Sequence, residues 1–101
     1  MLYKIIGIKH SGTKGERNTD RTDGKYPNRI GRIIWMSDST ASFGYRFHLN
    51  YIADENGNDY SDKTLWCSNV ERVGYRTGGI VEVETQNSIY VLKPVNKIWC
   101  E

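Results

Sequence analysis

The 101-residue sequence predicts an all-β domain, a small and strongly bent antiparallel sheet of five to six short strands that closes as a barrel. Three observations carry this. Phe43, Tyr45, Phe47, Leu49 and Tyr51 alternate with Gly44, Arg46, His48 and Asn50, the period of two of a half-buried strand. Seven Tyr and three Trp stand against two Pro and two Met, a composition that suits pleated, half-buried surfaces. Between the apolar runs fall turn-forming pairs, Asn56-Gly57, Gly78-Gly79 and Gln86-Asn87, and no segment carries a convincing helical period.

Taken in order, Leu2 to Lys9 is a β-branched run of strand length with no capping residue ahead of it and forms the first strand. From His10 to Asn28 aliphatic residues vanish and Gly, Thr, Asn, Asp, Lys and Arg dominate, so this segment is a long polar loop that supplies no core face. Loops of that length in compact domains are functional or disordered. Arg29 to Met36 resumes strand character, with Ile30, Arg32 and Ile34 on one face and Gly31, Ile33 and Trp35 on the other. The alternating strand from Phe43 to Tyr51 follows, with its aromatic residues inward, and reverses at Asn56-Gly57.

Thr64 to Val73 reads in two ways. Ser61 or Asp62 could cap a helix stacking Trp66, Val70 and Val73, while the β-branched and aromatic content favours a strand. Ile80 to Lys93 is a hairpin turning at Gln86-Asn87, with Val81 and Val83 inward and Glu82 and Glu84 on a solvated face. Pro94 interrupts pairing, after which Val95, Ile98 and Trp99 close one end of the core. The whole fits one domain, residues 1–101, of the SH3-like or OB-like barrel kind.

Several chemistries are disfavoured by spacing. His10, His48, Cys67 and Cys100 lack the close ligand pairs of a structural zinc site. Cys67 lies in an apolar run, where a thiol is a small hydrophobe rather than a nucleophile, and two cysteines without a secretory signal are expected to remain free. Counted as a calcium loop from Asp54, the sixth and twelfth places hold Asp59 and Leu65 instead of Gly and Glu. Neither Ser11–Gly15 nor Thr77–Gly79 completes a phosphate loop. The expectation is a protein without catalytic residues, metal or cofactor. No run spans a membrane, and a cytoplasmic location is expected.

A basic and aromatic surface remains. The net charge is only +2, yet Lys14, Arg17, Arg21, Lys25, Arg29 and Arg32 cluster against Glu16, Asp20 and Asp23. Arg46 and His48 are expected outward beside one another, and Arg72, Tyr75 and Arg76 form a further cationic group near a loop. Guanidinium groups with rings suit phosphate and base, and they equally suit an acidic protein surface. A charged face can also do no more than solvate its barrel. The loop cations Lys14, Arg17, Arg21 and Lys25 are predicted to order onto an anionic partner and to contribute little to stability.

Ser68, Asn69, Val70 and Val73, followed by Thr85, Asn87, Ser88, Tyr90 and Leu92, resemble the closing strands of small SH3-like proteins of bacteriophages and mobile elements. The resemblance covers about a third of the chain and none of the basic loop. It implies a compact anti-defence binder in a host bacterial cell, one that blocks a host defence protein or sequesters a nucleotide signal, and it assigns no binding residue. A nucleic-acid-binding barrel, and a structural protein assembling into homo-oligomers through an exposed sheet edge, are the alternatives.

Overall fold

The computed structural model describes residues 1–37 and 40–96. Six strands run β1 (Leu2–His10), β2 (Ile33–Trp35), β3 (Arg46–Ala53), β4 (Thr64–Tyr75), β5 (Val81–Thr85) and β6 (Ser88–Val95), with short 3-10 turns at Tyr26–Arg29 and Thr77–Gly79. Each strand pairs antiparallel with its chain neighbours, and β6 returns to β1, so the sheet closes as a barrel. The connections are all nearest-neighbour, without the Greek-key step of an OB-fold. Thr64 to Val73 is strand, so neither Ser61 nor Asp62 caps a helix there.

Ile5, Ile8, Ile34, Phe47, Leu49, Tyr51, Val70, Val81, Val83, Tyr90 and Leu92 fill the interior. Phe47 and Tyr90 meet edge to face, with ring centroids 5.5 Å apart. The predicted alternation of β3 holds from Phe47 onward but not before it: Phe43 and Tyr45 are 74% and 73% exposed. Gly44, at φ 83°, turns the chain there, and backbone bonds from Gly44 N–H to Val70 C=O and from Val70 N–H to Tyr45 C=O tie the turn to β4. That positive φ breaks the period of two, which lifts both rings out of the barrel.

Two further expectations are corrected. The second strand is only three residues long, because Arg29 belongs to the 3-10 turn and Gly31 takes φ 93°. Ile33 and Ile34 are both buried, and Ile34 joins the core cluster. β6 runs through Pro94, which pairs in register with Tyr3; β5 pairing ends at Leu92, so the missing N–H falls where one side of the strand is already unpaired. Ile98, Trp99 and Cys100 lie outside the described residues.

The turn at Asn56-Gly57 forms as expected, with Gly57 at φ 84° and the Asp54 carboxylate accepting from the N–H groups of Asn56 and Asn58. Residues 11–25 lack strand or helix but are pinned. Arg21 N–H bonds to Ile8 C=O, Ser11 Oγ donates to Gln86 C=O, and Thr13 Oγ1 pairs with Asn87 Oδ1. Among the described residues no helix is long and apolar enough to cross a membrane.

Candidate functional site

The predicted cations divide into those held by internal partners and those left for a ligand. Arg17 forks onto Glu84 with both bonds at 2.8 Å, which moves it from free loop cation to loop anchor. Arg72 bridges Glu82 and Glu84, and Arg76 also pairs with Glu82. Glu82 and Glu84 are therefore not a merely solvated face. The hydrogen bond from Arg76 holds Glu82 below its ordinary range, and that from Arg17 does the same for Glu84, against a smaller opposing effect of burial.

Arg21 departs furthest from expectation. Its side chain is 5% exposed, forks onto Asp23 at 3.1 and 2.6 Å, donates to Asn87 C=O and Ser88 Oγ, and lies 3.8 Å from the centroid of the Tyr26 ring. A cation this enclosed is structural. Lys14 is exposed and forms no ion pair among the described residues, and Tyr75 is exposed beside Arg76.

Arg29 and Arg46 meet in a groove of about 420 Å³, within the range of small-ligand sites. Tyr26 and Arg29 enter it from the first 3-10 turn, Arg46 from β3, residues 65–69 from β4, and residues 85–88 from the β5–β6 turn. Tyr90 forms the floor, and among the described residues no carboxylate lines the groove. Arg29 lies 4.4 Å from the Tyr26 ring centroid and uses one nitrogen on the Tyr90 hydroxyl, at 3.0 Å. Arg46 bonds to Cys67 C=O and sits 5.6 Å from the Trp66 ring, on which His48 also packs at 4.7 Å. Arg46 and His48 are thus outward and adjacent, as expected from the alternation.

Beneath these cations Cys67 Sγ donates to the Tyr90 hydroxyl at 3.5 Å. Burial pushes the thiol and the phenol up, and Arg29 pulls each back only in part. Both groups stay protonated near neutral pH, so the floor offers polar contacts and no ready nucleophile. Cys67 is a free cysteine. Among the described residues no group of three or more His, Cys, Asp or Glu is placed to hold a metal ion.

Arg32 is separated from this groove. It pairs with Glu55 at 3.1 Å, donates to the Tyr51 hydroxyl and lies 5.1 Å from the centroids of both the Tyr51 and Tyr60 rings. Sequence reasoning missed Tyr26, Trp66 and Tyr90 as groove residues. Comparison with protein-family models, with curated proteins and with solved structures returns no match, so the functional reading rests on the groove itself.

Proposed function

We propose that the chain is a non-catalytic binding module whose groove takes a nucleotide-type ligand, a phosphate joined to a planar base. What supports this is the convergence of Arg29 and Arg46 with the Tyr26 and Trp66 rings in a groove that no carboxylate lines among the described residues. Guanidinium forks match phosphate oxygens, and an exposed ring stacks a base for about 1–3 kcal/mol. Asn69, Gln86 and Asn87 line the same groove and supply the amide donors and acceptors that read a base edge. In the bacteriophage context that the C-terminal resemblance implies, such a module sequesters a nucleotide signal of host defence.

Calorimetric titration with AMP, GMP and UMP tests the reading. At least one is expected to bind, and Arg46→Ala to weaken it tenfold or more, about 1.4 kcal/mol. Equal affinity in the variant, or no binding of any nucleotide, overturns it. A second reading, blockade of a host protein, draws on Phe43 and Tyr45, aromatic anchors of the kind that dominate protein interfaces. On that reading Phe43→Ser abolishes capture of the host protein and leaves nucleotide binding intact. The assembly alternative draws less support than the groove, because among the described residues the six strands close on one another as a barrel.

A further inference from the structure

A second groove of about 440 Å³ adjoins the first and shares Arg29 and Leu65 with it as a common wall. It is lined by Lys25, Asn28, Arg32, Tyr51, Tyr60, Lys63 and Thr64, again without a carboxylate among the described residues. Lys25 and Lys63 are exposed and form no ion pair among the described residues. The two grooves repeat one composition. In the first, Arg46 faces Trp66 with Asn69 and Asn87 nearby; in the second, Arg32 faces Tyr60 with Asn28 nearby.

Arg29 stands at the junction. One of its nitrogens is engaged by Tyr90, and a guanidinium carries five N–H donors in all, so among the described residues the rest of the fork is left for a phosphate lying between the grooves. Five cations thus line two adjoining cavities, and among the described residues Glu55 on Arg32 is their one carboxylate partner. A mononucleotide would occupy one cavity and leave Lys25 and Lys63 facing solvent.

We infer that the paired grooves bind a dinucleotide unit, two bases joined through phosphate, with Arg29 on the bridging phosphate and Lys25 and Lys63 serving the second nucleotide. The inference rests on the nucleotide reading of the first groove. Each base takes a ring, Trp66 in one groove and Tyr60 in the other, and the phosphates take the cations between them. A free dinucleotide and a segment of single-stranded nucleic acid present this same chemistry.

The test compares AMP, 5′-phosphorylated ApA, cyclic di-AMP and a longer oligoadenylate by calorimetry, on the parent chain and on the Lys25→Ser/Lys63→Ser double variant. Both lysines are exposed, so the variant is expected to fold, with thermal unfolding as the check. Expected are at least tenfold tighter binding of one of the two-base ligands than of AMP, loss of that advantage in the double variant, and unchanged AMP affinity. Two-base ligands no tighter than AMP, or a double variant that keeps the advantage, overturn the inference and leave the first-groove reading standing. If none of AMP, GMP, UMP and the two-base ligands binds, both fall. The longer oligoadenylate separates the two sources: a strand site binds it more tightly than ApA and with a steeper salt dependence, whereas a free-dinucleotide site gains nothing from the added length.

Discussion

Replacing Arg21 by Ser is expected to be among the most damaging single changes to the long loop, although nothing in the local sequence marks this arginine out. Serine is too short to reach Asn87 C=O at 3.1 Å or Ser88 Oγ at 2.9 Å, and Ser88 is buried. Hydrogen bonds from a charged group contribute about 1.5–3 kcal/mol each, and the lower end applies to both because one nitrogen serves the two acceptors. The contact with the Tyr26 ring adds roughly 0.5–1 kcal/mol. The fork to Asp23 is left out of the sum, since that carboxylate is 53% exposed and solvent screens it. The loss is then about 3.5–4 kcal/mol. At about 2.1 cal/mol/K of unfolding entropy per residue, a 101-residue chain should melt about 16–19 °C lower. Thermal unfolding followed by circular dichroism reads this directly, with Lys14→Ser as the control. That lysine is exposed and forms no ion pair among the described residues, so its loss is expected to move the midpoint by no more than about 2 °C. An Arg21→Ser midpoint as close to the parent as the control's would refute the assignment of Arg21 as the pin of the loop.

Glu84 is held below its ordinary value of 4.5 chiefly by the fork from Arg17, so its ionised form stabilises the fold. That contribution is present above about pH 4.5 and disappears as the pH falls further, and Glu84→Gln should flatten the acid limb of a plot of melting temperature against pH. An unchanged limb argues against the pairing. Phe43→Ser is expected to change stability by less than about 0.5 kcal/mol, whereas Phe47→Ala should cost about 3–5 kcal/mol; denaturant titration that ranks them equally contradicts the placement of Gly44 as the point where the alternation breaks. Cys67, whose thiol burial pushes upward, should react with iodoacetamide at neutral pH much more slowly than a free thiol, as followed by mass spectrometry; a rate equal to that of glutathione removes the argument for a protonated floor.

The barrel was legible in the sequence where a residue's environment is decided by its neighbours along the strand. Phe47, Leu49, Tyr51 and Ala53 are buried alternately with more exposed neighbours along β3, and Val81 and Val83 do the same on β5. Legibility ended at the bulges. Val70 is buried, and strict alternation would carry Trp66, four residues earlier, to the same interior face. Arg46 pairs with Asn69 and His48 with Trp66, so β4 holds one residue more than β3 across this interval, and Trp66 emerges on the outer face as a wall of the groove. No residue in Thr64–Asn69 announces that slip. Arg21 is similar, since its burial is decided by the Asn87–Ser88 turn from a distant part of the chain. The basic character of the region from Lys25 to Arg32 was visible as composition. What composition did not separate was Arg29, which faces a groove, from Arg17, which is neutralised by a glutamate on β5.

The seam between β1 and β6 pairs Leu2 with Val95 and His10 with Ser88, so during synthesis β1 must wait for β6, the last of these strands, before its second ladder is filled. Until then the nascent chain shows open hydrogen-bonding edges on β1 and on the latest strand made, with the faces of Ile5 and Ile8 between them still uncovered. Closing so long a loop costs chain entropy before the pairing returns any stabilisation, which makes the joining of these two strands the expected slow step of folding. The polar loop and its pinning residues are synthesised early but acquire their partners, Glu84, Asn87 and Ser88, only in that same late interval. Barrel closure and loop anchoring are therefore events of one moment, and the cationic grooves, whose walls include the β5–β6 turn, do not exist before it.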